Sequence, residues 1–224
     1  MMSDTTAEQL KNEFQFTLSR FSHELRNPIA LISSELQMMA DSHPDITSIS
    51  NWDDIMDNLD YIKELLNELS SYNNADCLSL KDTNMKNYLE NILASVRPTM
   101  HYLGIDLKTD VSSFMPDLPI DRIKLRQALL NLLRNAQESI SRTDGIIQVR
   151  AYPFQKGVCI CISDNGCGIP PEQLKKIFTP FVTSKPAGTG LGLAVTRQII
   201  EAHKGHIEVE SVVGQGSAFR IFLG

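Results

Sequence analysis

Two asparagines four residues apart, Asn131 and Asn135, are the first residues whose type and spacing suggest chemistry. On a helix they point the same way. Neutral amide oxygens on one face suit Mg2+, a hard ion that keeps several waters and also binds substrate phosphates. Further on, Asp164-Asn165-Gly166-Cys167-Gly168 closes a predicted strand and Gly188-Thr189-Gly190-Leu191-Gly192 opens a predicted helix. A carboxylate at a strand end can accept a hydrogen bond from an exocyclic amine such as that of adenine. Glycines at a helix start let backbone amides approach phosphate, and the helix dipole favours the anion. Taken singly, each feature also fits a structural role: the glycines a loop and helix start, the asparagines a solvated helix face, Asp164 a turn before glycine. Neither the Walker pattern nor a G-x-G-x-x-G after a strand occurs.

A second candidate lies near the start, in FSHELRNPI. His23 is two residues from Phe21 and two from Leu25, which turns it away from the apolar stripe those residues share. Glu24 is its neighbour, Asn27 lies one turn on, and Pro28 removes the amide that would bond the Glu24 carbonyl, predicting a kink beside an exposed imidazole. Such an imidazole can attack a phosphoryl group while a carboxylate takes or balances its proton. A surface histidine and a packing kink are the plainer readings of the same residues. His203 and His206, three apart across Gly205, make a poor zinc site. Cys159 and Cys161 share one face of a strand and read as small core residues.

Elements must position these groups. Leu18, Phe21, Leu25, Ile29, Ile32, Leu36 and Met39 recur at steps of three and four, as do Ile46, Ile49, Trp52, Ile55, Leu59, Ile62, Leu66 and Leu69. This predicts two long helices joined by a turn at 41–45 around Pro44, each roughly 45 Å long at 1.5 Å per residue. A lone hairpin leaves much of its stripe wet, so pairing of two hairpins into a four-helix bundle, a homodimer, is expected. After a linker at 74–80 the pattern predicts helices over 85–102, 121–140 and 191–202. It predicts strands over 105–111, 146–152, 158–163, 207–212 and 218–223. The fold class is therefore α+β: an antiparallel helical hairpin over 1–73, then an α/β sandwich with a largely antiparallel sheet over 81–224.

Composition agrees with two units. Of the 224 residues, 42% are hydrophobic and the net charge is -6. Residues 1–80 hold 4 basic and 14 acidic side chains, leaving a net of +4 for the remainder. Different partners for the two halves follow. No apolar run approaches the ~20 residues of a membrane span, no basic-then-apolar leader opens the chain, and four irregularly spaced cysteines make no disulfide framework. A reducing cytoplasm is the expected location, with no nucleic-acid partner.

The order and spacing of the motifs are more specific than any one of them. QALLNLLRNAQESI (127–140), DNGCGIP (164–170), FTPFVTSK (178–185) and GTGLGLAV (188–195) resemble the N, G1, F and G2 boxes of the GHKL-type ATPase domain of histidine kinases. The resemblance covers essentially 81–224, and FSHELRNPI resembles the H-box of the HisKA dimerisation and phosphotransfer domain at the expected distance before it. It implies ATP and Mg2+ as ligands, with Asn135 on Mg2+, Asn131 supporting the nucleotide, Asp164 reading adenine, and Gly166, Gly168, Gly188, Gly190 and Gly192 in the nucleotide loops. Phe178 and Phe181 would anchor the segment between G1 and G2, and Lys185 and Arg134 would contact phosphate or be solvated charges. It makes His23 the phospho-acceptor, Glu24 its acid/base partner, and Asn27 a residue that orients water for dephosphorylating a response regulator. The receiver domain of such a regulator is the implied partner. A vestigial scaffold dimer and an ATPase doing conformational work, as gyrase- and Hsp90-like proteins do, are the competing classes. Intact Asn135, Asp164 and G2 glycines oppose the first; the H-box, and an amide where the latter carry an acidic residue near Asn131, oppose the second. With 22 residues ahead of His23, no sensor segment is expected in this chain, which reads as an excised core or a short kinase regulated by another protein.

Overall fold

The computed structural model describes the backbone of residues 2–183, 185 and 188–224, and side chains at 17, 22, 24–183, 185 and 188–224. The chain folds as two compact units, Met1–Asn74 and Ala75–Gly224.

The first unit is the predicted hairpin. Helix α1 (Met2–Ser42) runs without interruption through Pro28, and α2 spans Trp52–Asn73. The second helix starts later than its apolar repeat suggests. Pro44–Ser48 forms a tight 3-10 turn, Ile49 is extended, and the Trp52 amide donates back to the Ile49 carbonyl. Thr47 Oγ1 donates to the Pro44 carbonyl at 2.7 Å, a local side-chain bond that competes with continuous helix there. The stripe divides along heptad lines. Leu59 and Leu66 are buried and Trp52, Ile29 and Leu36 half-covered, whereas Leu25, Ile32, Met39, Ile55 and Ile62 remain exposed. Lys63 Nζ crosses the hairpin to Ser33 Oγ at 2.8 Å. Among the described residues no helix is long and apolar enough to cross a membrane.

In the second unit a five-stranded sheet has the order β2-β4-β5-β7-β6, from β2 (Asp106–Val111), β4 (Ile146–Phe154), β5 (Gly157–Asp164), β6 (His206–Val212) and β7 (Gly216–Leu223). Only β2–β4 pairs parallel; the other pairs are antiparallel. Central β5 is buried from Gly157 to Ile162, including Cys159 and Cys161, as its run of apolar residues requires. Helices α3 (Met85–Tyr102), α4 (Arg122–Ser139) and α6 (Gly192–Ala202) pack on the sheet. Leu125, Leu132, Ile147, Ile160, Ile199 and Ile221 form the core between these layers.

Three short elements escaped the periodicity: the hairpin-like pair β1 (Lys81–Asn84) and β3 (Asp117–Ile120), and α5 (Pro171–Leu174). At four residues each they carry too little pattern to read. The expected linker also folds onto the second unit. Ala75 is buried, and the Ser79 amide donates to Asp121 Oδ2 at 2.8 Å.

Candidate nucleotide site

Asp121 starts α4 as an N-cap. Its Oδ1 accepts from the amides of Ile123 and Lys124, both at 3.0 Å, satisfying two of the helix's orphan donors. Burial would raise its carboxyl, but the amides of Ser79, Lys124 and Ile123 outweigh that and hold it below the usual range. The Asp121 amide donates to His203 Nε2 at 2.9 Å, while His203 Nδ1 lies 2.7 Å from the Ile199 carbonyl. Both ring nitrogens are therefore engaged inside the protein, with the proton on Nδ1. His206 stacks on Phe222 at 4.4 Å between ring centroids.

The apolar face of α4 (Leu125, Leu129, Leu132, Ala136) is buried. Beside it runs a polar stripe, Asn131, Asn135 and Ser139, at steps of four, and each member meets a different motif. Asn131 Nδ2 donates to Thr196 Oγ1 at 2.9 Å, and that hydroxyl donates to the Gly192 carbonyl at 3.0 Å. A Cβ on Gly192 would lie 2.5 Å from Asn131 Oδ1, so glycine is what lets the start of α6 approach this amide. Asn135 Oδ1 accepts from Lys185 Nζ at 3.3 Å. Ser139 Oγ lies 2.9 Å from Asp164 Oδ1 and 2.7 Å from the Ala136 carbonyl, and its single proton serves one of them. One helix edge thus joins G2, the end of the F-box, and G1.

Asp164 ends β5, and its Oδ1 accepts from the Gly166 amide at 2.9 Å, closing the turn. Burial pushes its carboxyl above the usual range despite the hydrogen bonds from Gly166, Ser139 and Ser217. Asn165 is a structural pin: Oδ1 accepts from the Ile146 amide at 2.7 Å and Nδ2 donates to the Asp144 carbonyl at 2.9 Å. The turn is clamped from both sides, Cys167 N–H on the Ser139 carbonyl and Gly214 N–H on the Cys167 carbonyl. A Cβ on Gly166 would fall 2.0 Å from Ser139 Oγ. On Gly168, held at φ +70°, it would fall 2.2 Å from the Val212 carbonyl oxygen. Packing within the protein alone requires both glycines.

The G2 glycines abut three different neighbours. Gly188 faces Thr183 Oγ1, Gly190 (φ +70°) faces the Phe181–Val182 backbone, and Gly192 faces Asn131. Phe181 itself has φ +63°, and its amide donates to the Gly190 carbonyl at 3.0 Å. Phe178 lies half-buried under the Arg197 guanidinium, 5.8 Å from the ring centroid.

Glu138 was missed at the level of sequence, although its i+4 relation to Arg134 was available. Its carboxylate accepts from Arg134 Nε at 2.8 Å and pairs with Lys185 Nζ. Burial alone would raise this carboxyl; the hydrogen bonds and charges of Lys185 and Arg134 win and lower it. Ser139 and Thr196, also missed, hold Asp164 and Asn131 in place. The oxygen of Asn135 already faces a cationic group, so the donor set fits a hard cation. The Leu191 amide donates to Thr189 Oγ1 at 3.1 Å, and the flanking glycine amides at the start of α6 fit an anion.

In the first unit His23 lies on α1, but its side chain falls outside the described residues. Glu24 and Asn27 are exposed on the same helix.

The sequence profile of the histidine kinase-, DNA gyrase B-, and HSP90-like ATPase family matches residues 120–224. The signal transduction histidine-protein kinase AtoS of Escherichia coli (strain K12) is 32% identical over 203 residues, 90% of this chain and 33% of AtoS. The chain thus spans about a third of that relative. A mycobacterial sensor histidine kinase, MprB, shares 30% identity with a TM-score of 0.55, over 64% of this chain and 95% of the solved one. Full-length ShkA, solved in complex with AMPPNP, superimposes with a TM-score of 0.77 at 26% identity, over 92% of this chain and 44% of that one. By its ATPase profile, its curated relatives and its structural neighbours, the chain belongs to the sensor histidine kinase family.

Proposed function

We propose that this chain is the catalytic core of a two-component histidine kinase that binds MgATP in its second unit and phosphorylates His23. The observation that carries the reading is the α4 stripe. Asn131, Asn135 and Ser139 bring the G2 helix start, a lysine and the adenine-type aspartate to one helix edge. In this reading Asp164 accepts from the adenine amine, the amides at the start of α6 take phosphate oxygens, and Lys185 and Arg134 add positive charge. Asn135 Oδ1 would hold Mg2+, which when bound offsets phosphate charge.

A ring nitrogen of His23 attacks the γ-phosphorus, the bond to the β,γ-bridging oxygen breaks, and ADP leaves. Glu24 takes or balances the proton of the imidazole. The phosphoryl group then passes from His23 to an aspartate carboxylate of a receiver domain, and Asn27 orients water that hydrolyses that aspartyl phosphate, breaking its P–O bond to release inorganic phosphate and the free carboxylate. A homodimer through the exposed heptad line of the hairpin, in the cytoplasm, completes the proposal. Incubation with γ-labelled ATP tests it: acid-labile, base-stable label on wild type, lost in His23→Gln and in Asp164→Ala, is expected. Label retained by His23→Gln overturns the assignment.

A further inference from the structure

The lysine that reaches Asn135 is not free to serve phosphate as the protein stands. Its ammonium donates to Asn135 Oδ1 at 3.3 Å and is paired with Glu138, whose other oxygen accepts from Arg134 Nε at 2.8 Å. One carboxylate therefore pairs with both cations proposed for the phosphate end of the site, and a lysine ammonium lies on the oxygen proposed for the metal. These three side chains are partly exposed, so solvent screens the pairs but leaves them intact.

A polyphosphate arriving without a divalent cation meets a carboxylate and two cations already paired with it. To bind, it must take Lys185 and Arg134 from Glu138 and leave that carboxylate uncompensated beside its own negative charge. A polyphosphate arriving with a divalent cation brings the compensation with it. The cation satisfies the carboxylate field around Asn135 in place of the ammonium, and both basic side chains pass to phosphate oxygens. We infer that Glu138 is a specificity-determining residue that makes nucleotide binding at this site conditional on a divalent cation, discriminating the metal complex from free ATP. The inference rests on the nucleotide reading of the site and adds to it a charge exchange for which Asn131, Asp164 and the glycines have no role.

Titration calorimetry with ATP in EDTA and with ATP in excess Mg2+, on the full chain, provides the test. Glu138→Gln keeps size and a hydrogen-bonding oxygen while removing the charge. It is expected to tighten free-ATP binding about tenfold and to shrink the Mg2+ benefit by a similar factor. Lys185→Met alone should weaken MgATP. Adding it to Glu138→Gln should cut the gain in free-ATP affinity, and adding Arg134→Met as well should abolish it, because the two released cations are its source. Free-ATP affinity unchanged or lowered in Glu138→Gln, with MgATP still bound, overturns the role of Glu138 alone. No heat or thermal shift with MgATP in wild type overturns the nucleotide reading, and this inference with it.

Discussion

Asp164 sets function against stability within one side chain. Burial raises its carboxyl above the ordinary value, so the folded state binds this proton more readily than the unfolded chain does. The contribution to stability is fully present below the unfolded pKa and is lost as pH rises through the elevated folded value. In its proposed role Asp164 would be pulled the other way, since accepting from the adenine amine calls for the ionised carboxylate. Nucleotide affinity is therefore expected to fall on acidification at a higher pH than an ordinary aspartate would give, measured by titration between pH 7 and 4 on chain shown by circular dichroism to be folded. Asp164→Asn keeps an oxygen for the Gly166 amide and removes the buried charge. It should match or exceed wild type in melting temperature at pH 7 while losing at least about tenfold in ATP affinity. A variant that unfolds or binds normally contradicts this. Gly192→Ala has no such escape. Its Cβ would sit 2.5 Å from Asn131 Oδ1, so loss of the Asn131–Thr196 bond and of nucleotide binding is expected, with a stability cost of about 1–3 kcal/mol in denaturant titration.

At the level of elements, the hairpin divides its apolar residues between two destinations. One heptad line closes the seam between α1 and α2, and the other, carrying Leu25, Ile32, Met39, Ile55 and Ile62, stays exposed. Burying one such side chain is worth about 1.5–3 kcal/mol, and a two-fold pairing would count each twice. Ile32→Glu combined with Ile62→Lys should convert a dimer to a monomer in light scattering without unfolding the second unit; a dimer of unchanged mass would remove the bundle from the proposal. The long, strongly periodic elements were legible in sequence, and α3 (Met85–Tyr102) matches its predicted span. The four-residue strands were not, because pairing between Lys81–Asn84 and Asp117–Ile120 is a tertiary fact with no local period. The site shows the same division. Asn131, Asn135, Asp164 and the glycines were named by type and spacing. Ser139 and Thr196 act through partners 25 and 65 residues away, and Glu138 meets Lys185 47 positions on, relations that spacing does not encode.

Across the whole molecule, the two units differ in charge as well as architecture. The hairpin is acidic and the second unit net-positive, the balance that the proposed polyphosphate ligand calls for. The units also meet the chain boundary unequally. Asp121 gathers the entering segment through Ser79, the start of α4 through two amides, and the end of α6 through His203. It is a three-way splice of chain segments far apart in sequence, and it decides where the protein can be cut. An excised fragment of residues 75–224 keeps the splice whole, whereas one of 81–224 leaves a nearly buried carboxylate short of a donor. The shorter fragment should melt about 3–6 °C lower and bind nucleotide with lower apparent affinity near its transition. The six residues between those two starts look like connecting thread, yet they belong to the second unit's foundation.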